Sequence, residues 1–164
     1  METIQNGLKF NLLKEHPEHF NAWSQFIIKA WGSEVTTPLY VDHFYWMMKS
    51  SNSIPTWGVL TLNDEVIGCC GLIVNDFNSR MDVWPYLAAV YIEDKYRHQG
   101  YGTWMIKTMI HHGFELGFKD IYCASDLFEF YQSVGFKHIG KTYHPWGENE
   151  IFVISASEIQ HIEE

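Results

Sequence analysis

A glycine loop placed between an apolar run and an amphipathic segment is the feature that most limits how this chain can fold. The apolar run Tyr86–Ile92 is continuous, which is typical of a strand buried on both faces. The loop RHQGYG (97–102) follows it. In the next segment, apolar residues from Met105 to Gly113 recur at helical spacing. A strand, a glycine loop and a helix in this order predict a mixed α/β fold.

Further segments of both types flank this central piece. Strands are predicted at 8–13, 56–62, 66–74, 120–124, 136–144 and 150–156. Helices are predicted at 17–31, 37–48, 103–117 and 126–135. Thr37 and Asp126 are predicted as the caps of the second and fourth helices. No repeat or linker interrupts these segments, so the 164 residues are expected to form one domain, 1–164.

The charge balance excludes some partners and favours others. Lysine and arginine number 11 and aspartate and glutamate 20, which gives 11 − 20 = −9 with histidine neutral. Binding to nucleic acid needs clustered cations against the phosphates, and here the cations are sparse and scattered, so no nucleic-acid partner is expected. The same negative field attracts small cations.

The apolar runs and the cysteines indicate a cytoplasmic protein. The longest uncharged apolar runs, such as 66–74, have about half the length that a bilayer-spanning helix needs, so no membrane partner is expected. Cys69, Cys70 and Cys123 show no CxxC spacing, and the N-terminus lacks the pattern of a signal peptide. The histidines show no ligand spacing either, and no metal site is predicted.

The glycine loop is suited to bind a phosphate. A helix that begins inside a loop leaves backbone N–H groups unpaired and carries a partial positive charge at that end. Gly100 and Gly102 let the backbone approach an anion, and Arg97 could add a charged hydrogen bond. A Walker A loop would need Gly-Lys-Ser/Thr, and a dinucleotide fingerprint would need a small residue where Met105 stands. The third reading is the pyrophosphate loop of a coenzyme A enzyme.

Two motifs support that third reading. The stretch VYIEDKYRHQGYGTWMI resembles the strand-loop-helix motif of the Gcn5-related N-acetyltransferase (GNAT) superfamily, and FYQSVGF (130–136) resembles its FYxxxGF segment about thirty residues later. The resemblance covers nearly the whole chain. It implies one α/β domain with a central, mostly antiparallel sheet that splays between the fourth and fifth strands, flanked by helices. It also implies acetyl-CoA as the co-substrate, bound in the splayed opening.

The resemblance assigns roles to individual positions. The backbone of the fourth strand would pair with the pantetheine arm, and a backbone N–H near its end would stabilise an oxyanion. The loop would hold the pyrophosphate. The coenzyme-binding residues so implied are Val90, Tyr91, Ile92, Arg97, His98, Gln99, Gly100, Tyr101, Gly102 and Thr103. Tyr131 matches the tyrosine that gives a proton to the departing sulfur, although packing against Phe136 beyond the Gly135 cap is the alternative interpretation.

The general base is left open at this stage. Some members of the superfamily carry a glutamate on the fourth or fifth strand, where this chain offers alanines and Cys123. Cys123 itself is expected to be buried and inert. The remaining candidates are Asp76, Asp82, His144, Glu150 or an ordered water.

The function expected from these patterns is acetyl transfer by direct attack from acetyl-CoA to the primary amine of a small, cationic molecule. The alternatives are a non-catalytic acyl-CoA-binding regulatory module, or an acetyltransferase of protein N-termini or lysines. Acceptor recognition is expected from aromatic side chains, which could equally be core: Trp46, Trp84, Tyr86, Tyr143 and Trp146. The superfamily resemblance also implies a possible homodimer through the C-terminal strands.

Overall fold

The structure, a computed structural model, describes residues 6–159 and contains one seven-stranded sheet in the order β1-β2-β3-β4-β5-β7-β6. The strands are β1 (Leu8–Leu12), β2 (Thr56–Leu62), β3 (Glu65–Ile73), β4 (Tyr86–Ile92), β5 (Asp120–Ser125), β6 (Lys137–His144) and β7 (Gly147–Ser155). The helices are α1 (Phe20–Trp31), α2 (Thr37–Lys49), α3 (Tyr101–Glu115), α4 (Phe128–Val134) and α5 (Ala156–Ile159). The predicted mixed α/β fold with a mostly antiparallel sheet is confirmed.

The chain divides into two compact units. The first comprises residues up to Gly71 together with Ala89–Ile106, and the second comprises Leu72–Ala88 together with the residues from Lys107 onward. The first unit therefore contains the glycine loop, and the second contains the FYQSVGF segment.

In the first unit, β1 pairs with β2 in antiparallel register, with Leu8 opposite Leu62. A tight turn joins β2 to β3, and Asn63 and Asp64 in this turn both have positive φ, as two-residue hairpins require. The indole N–H of Trp57 on β2 donates to His43 Nε2 on α2 at 2.8 Å. This bond ties the helix to the hairpin.

In the second unit, β7 lies between β5 and β6 and pairs with both in antiparallel register. Cys123 on β5 lies opposite Phe152 on β7, and both side chains are buried. Helix α4 ends at Gly135, whose φ of +114° allows the left-handed turn that the sequence predicts at this position. These contacts bring the FYQSVGF segment against the inner face of the three strands.

Strands β4 and β5 pair in parallel register, with Tyr86 opposite Tyr122. The Tyr122 N–H donates to Pro85 O at 2.9 Å. These three residues all belong to the second unit.

Both predicted helix caps are wrong. Helix α4 begins at Phe128 after the N-cap residue Leu127, and Asp126 accepts the Phe128 N–H at 3.0 Å only through its backbone carbonyl. Thr37 is the first residue of α2 rather than its cap. Among residues 6–159, no helix has the length and apolar character to cross a membrane.

Candidate functional site

Strand β4 changes character at Ala89. This residue has φ of +52°, which a non-glycine residue rarely adopts, and its carbonyl accepts from the Cys69 thiol at 3.6 Å. Tyr86–Ala88 are buried, whereas Ala89, Val90 and Tyr91 are half-buried. The prediction of a strand buried on both faces is therefore right only for its first half. The second half presents the backbone of Val90 and Tyr91, two of the residues assigned to the pantetheine arm.

Arg97 closes the loop onto the end of β4. Its Nε donates to Ile92 O at 2.8 Å, and its guanidinium forms an ion pair with Asp94 at 2.9 Å and lies over the Tyr91 ring. These contacts use Nε and Nη1 of Arg97 and fix where the loop leaves the strand. The charged hydrogen bond expected from Arg97 to a phosphate stays a prediction, since a guanidinium carries five N–H donors.

The loop itself turns through two left-handed residues, His98 with φ of +61° and Gly100 with φ of +84°. Alternation of this kind points successive N–H groups into one concavity, an arrangement that binds anions. The first helical bond of α3 joins Trp104 N–H to Gly100 O at 3.1 Å, so the N–H groups of the preceding turn have no acceptor within the helix.

The space over this loop is open. A Cβ added at Gly100 would meet no atom within 4 Å, whereas one at Gly68, beneath the end of β4, would lie 2.8 Å from Tyr91 O. A ligand atom at this position would therefore displace no protein atom. All ten residues assigned to the coenzyme lie together in the first unit.

Tyr131 lies in the second unit and is almost fully buried. Its ring packs edge-on against Phe136 at 5.6 Å between centroids, and Phe136 N–H donates to Tyr131 O at 3.0 Å, as expected beside the Gly135 cap. A side-chain hydrogen bond also joins Tyr131 to Cys123. The packing role of Tyr131 is thus real, and its side chain is in addition held by a polar contact.

Cys123 is buried, as expected, and burial raises the pKa of its thiol to about 12. The hydrogen bond from Tyr131 acts in the opposite direction, and the charge of Asp76 adds to the increase. At neutral pH the thiol is protonated, which leaves it a poor nucleophile. The interaction with Asp76 shows that the loop after β3 comes close to β5.

That loop is held by two asparagines. The Asn75 amide bridges the backbone of Asn78, with Oδ1 2.9 Å from its N and Nδ2 3.1 Å from its O. Buried Asn78 Oδ1 in turn accepts from Thr142 Oγ1 at 2.9 Å and from Arg80 N at 3.0 Å. Asp76 lies inside this bracketed turn, so its position is fixed by hydrogen bonds on both sides.

Burial disfavours the charged form of Asp76. It raises the pKa of the carboxyl from its ordinary value of 3.8 to about 6, and the neighbouring His144 opposes the increase. His144 Nδ1 lies 2.9 Å from Phe77 O, so this nitrogen carries the proton, and its ring stacks on Trp146 at 4.7 Å. His144 Nε2 is covered and has no hydrogen-bond partner within the described residues.

The other two protein candidates are engaged elsewhere. Asp82 is exposed and accepts two hydrogen bonds from Arg80, at 2.8 and 3.0 Å, which lower the pKa of its carboxyl. Glu150 forms an ion pair with His138. Asp76 and His144 are the protein candidates without such an ion pair, and an ordered water stays the alternative.

The aromatic residues expected to recognise an acceptor differ in their placement. Tyr86 is fully buried and its hydroxyl lies 2.7 Å from Arg80 O, so it belongs to the core and its assignment to acceptor recognition is wrong. The other four are exposed: Trp46 in the first unit, and Trp84, Tyr143 and Trp146 in the second.

Two residues of the site were not assigned a role from the sequence. Asn78 is a buried polar centre of the loop, and its signal is the Asn-x-x-Asn spacing around Asp76, which is typical of turns that bond their own backbone. Cys123 contacts Tyr131, which no local pattern indicates. Among residues 6–159 there is no cluster of three or more metal-ligating side chains.

A comparison with models of protein families matches residues 20–136, more than two thirds of the chain, to the acetyltransferase (GNAT) family. The chain belongs to this family. The match spans both motifs on which the resemblance was based, the glycine loop and the FYQSVGF segment, and confirms it. A search of curated proteins found no match.

Solved structures share the GNAT fold at low identity. A spermidine N-acetyltransferase from Vibrio cholerae is 15% identical with a TM-score of 0.68, covering 98% of this chain and 100% of that one. An aminoglycoside 6'-acetyltransferase type Ii is 18% identical with a TM-score of 0.65, covering 87% and 92%. An N-acetyltransferase from Staphylococcus aureus Mu50 is 14% identical with a TM-score of 0.63, covering 90% and 98%. At these identities the likeness establishes the fold alone.

Proposed function

We propose that this GNAT protein is an N-acetyltransferase that uses acetyl-CoA and acts on the primary amine of a small, cationic molecule. The observation that carries the proposal is the loop at the start of α3. It combines two left-handed residues, N–H groups that precede the first helical hydrogen bond and open space at the Cβ position of Gly100, in the register of the family motif. Backbone groups of this kind bind pyrophosphate without any positively charged side chain.

Different residues of the chain would bind the coenzyme and transfer the proton. Val90, Tyr91 and Ile92 would pair with the pantetheine arm through the half-buried end of β4, and the loop from Arg97 to Thr103 would bind the pyrophosphate through its backbone. When bound, acetyl-CoA supplies the thioester whose acetyl group the amine takes. Tyr131 would give its hydroxyl proton to the departing sulfur. The side chain is held in place on α4 by Phe136 and Cys123.

A cationic acceptor is supported by charge and by exposed rings. The net charge is −9. Trp84, Tyr143 and Trp146 are exposed in the second unit, which also contains Asp76, and aromatic faces with a carboxylate suit an ammonium group. Structures of the same fold carry the names of spermidine and aminoglycoside acetyltransferases.

The proposal includes a single domain, a cytoplasmic location and a homodimer. The Vibrio cholerae enzyme has been solved as a dodecamer.

The first experiment measures release of the free CoA thiol from acetyl-CoA across polyamines, aminoglycosides, amino acids and short peptides. Release that depends on a small amine is expected. Release with peptides alone would favour a protein acetyltransferase, and tight acetyl-CoA binding without release would favour a regulatory module.

A pair of glycine variants tests the coenzyme site. Gly100→Glu would place a carboxylate against the pyrophosphate, so acetyl-CoA binding, measured by calorimetry, should be lost. Gly117→Glu is the matched control, because Gly117 also has positive φ (+99°) and open space at its Cβ, but lies at the end of α3. It carries the same backbone strain and charge and should bind normally. Equal effects in the two variants would contradict the assignment of the loop.

A further inference from the structure

We propose that the Asp76 carboxylate receives the ammonium group of the acceptor and takes its proton, and that His144 is a positioning residue for this step. This inference rests on the proposed function and deepens it, since it assigns the base that the strands of the family motif do not supply. Four observations in the second unit support it.

The first observation concerns the groups that interact with Asp76. It interacts electrostatically with the Cys123 thiol on β5, and the same thiol is hydrogen-bonded to Tyr131 on α4. Asp76 and Tyr131 thus both influence the pKa of one cysteine, from two different elements of the second unit. An acetyl transfer needs one group that removes a proton from nitrogen and one that gives a proton to sulfur. Asp76 and Tyr131 are groups of these two kinds.

The second observation is that the carboxylate has no partner. Asp76 is half-buried, yet within residues 6–159 no hydrogen bond or ion pair reaches its carboxylate; the shift of its pKa comes from burial and from the charge of His144. Partial burial of a carboxylate without a hydrogen-bond donor is unfavourable, and a bound cation would supply the missing partner. Asp82, six residues later, is exposed and fully paired with Arg80. An ammonium group would supply what Asp76 lacks.

The third observation is rigidity. The hydrogen bonds between Asn75 and Asn78 enclose Asp76, and Phe77 next to it has φ of +54°, an unfavourable conformation for a large side chain. Backbone strain of this kind persists where the surroundings enforce it, and it concentrates at functional sites. The strained turn sets the direction of the carboxylate.

The fourth observation concerns His144, which is anchored beside the carboxylate. Its Nδ1–H donates to Phe77 O, the carbonyl next to Asp76 in the chain, and its covered Nε2 has no partner among the described residues. The interaction of His144 with Asp76 opposes the increase in the pKa of the carboxyl and so favours its ionised form. The titratable groups that interact with Asp76 are His144 on β6, Tyr86 on β4 and Cys123 on β5.

The proton balance of the step is complete. The acceptor enters as an ammonium ion and gives one proton to Asp76, which leaves the lone pair on nitrogen. That pair forms the N–C bond as the C–S bond breaks, and the sulfur takes the hydroxyl proton of Tyr131. The nitrogen then loses its second proton to the Tyr131 oxygen, and Asp76 releases its proton to water. One proton leaves the protein for each acetyl group transferred.

The test compares pH profiles of kcat/KM. The wild-type profile should fall below an apparent pKa of about 6, because Asp76 must be ionised to accept the proton. Asp76→Asn should lower kcat/KM at about pH 8 by on the order of 100-fold and remove this limb. His144→Gln should keep most of the rate but move the limb to higher pH. Asp82→Asn, the matched carboxylate of the same loop, should retain the wild-type profile.

A second readout separates this inference from the proposed function. Binding of spermidine without acetyl-CoA, measured by calorimetry, should weaken at least about tenfold in Asp76→Asn, because one ion pair is lost. Melting temperatures confirm that each variant is folded. An unchanged acidic limb, or unchanged spermidine binding, in Asp76→Asn would overturn the role of Asp76. Absence of wild-type turnover with every amine would overturn the proposed function, while the binding comparison would still decide the role of Asp76.

Discussion

At the scale of single residues, Tyr131 combines two roles that a substitution can separate. Its ring packs against Phe136 and Phe152, whereas its hydroxyl serves the proposed proton transfer. Tyr131→Phe keeps the ring, so kcat should fall by on the order of 100-fold while the KM for acetyl-CoA and the melting temperature change little. Steady-state kinetics and thermal unfolding check both parts.

Tyr96→Phe is the control for Tyr131→Phe. It also deletes one hydroxyl, which here bonds exposed Glu65 at 2.9 Å. We expect it to retain the wild-type kcat. An unchanged kcat in Tyr131→Phe would leave Tyr131 as a packing residue alone.

Asp76 makes a second prediction, for stability rather than rate. Its pKa in the folded protein, about 6, lies above its ordinary value of 3.8, so the folded state binds the proton more tightly than the unfolded chain does. The resulting stabilisation is complete below pH 3.8 and is lost as the pH rises through about 6. The difference corresponds to about 3 kcal/mol of unfolding free energy.

Asp76→Asn should therefore be more stable than the wild type above about pH 6, and this advantage should disappear below about pH 4. Urea titrations at both ends of the range measure it. The effect of Asp82 on stability has the opposite sign, because Arg80 lowers the pKa of its carboxyl. Asp82→Asn should therefore lose a little stability at neutral pH. A more stable Asp82→Asn would show that removal of negative charge, not the burial of Asp76, accounts for the gain.

At the scale of elements, the β2–β3 hairpin depends on a glycine under an aromatic ring. A Cβ at Gly71 would lie 2.7 Å from Cδ2 of Trp57, and the hydrogen bond to His43 fixes this ring. Because the ring cannot yield, Gly71→Ala should lower the free energy of unfolding by about 1–3 kcal/mol. Urea titration measures the loss.

Gly113→Ala is the comparison. Its Cβ would lie 2.6 Å from Cδ1 of Ile121, a terminal methyl group that can rotate away, and alanine favours a helix over glycine by roughly 1 kcal/mol. We expect a smaller loss than at Gly71. A larger loss in Gly113→Ala would show that the rigidity of the neighbouring group is not the deciding factor.

The elements also show what a sequence can and cannot predict here. Apolar runs predict the strands, and the glycine stops predict the ends of α3 and α4, because these signals act over a few residues. The cap of α4 could not be predicted, since Leu127 stands at the N-cap position without a side-chain hydrogen bond, and only the backbone path places it there. The left-handed Ala89, which separates the two halves of β4, has no local signature.

The site follows the same division. The coenzyme loop is predictable because its chemistry depends on backbone and glycine within one short segment. The base is not, because its four protein candidates, three carboxyls and one imidazole, carry no local signal that separates them. Burial of Asp76 and the pairing of Asp82 and Glu150 distinguish them, and both depend on tertiary contacts.

At the scale of the whole molecule, the net charge of −9 makes a prediction about salt. A negative field attracts an acceptor in proportion to its positive charge, and salt screens this attraction over about 10 Å at 0.1 M. Raising the ionic strength should therefore increase the KM for a polyamine several-fold and that for a monoamine much less. Initial rates at low and high salt test this, and equal increases for both acceptors would contradict it.

The three buried cysteines can report how often different parts of the structure open. Burial raises the pKa of each thiol, so a disulfide reagent can modify it only when the surrounding structure opens. The modification rate of Cys69 and Cys70 therefore reports the opening of the first unit, and that of Cys123 reports the opening of the second. If the chain is one cooperative domain, all three thiols become modified at a single rate. If it is not, two separate modification rates will show that the two units open independently.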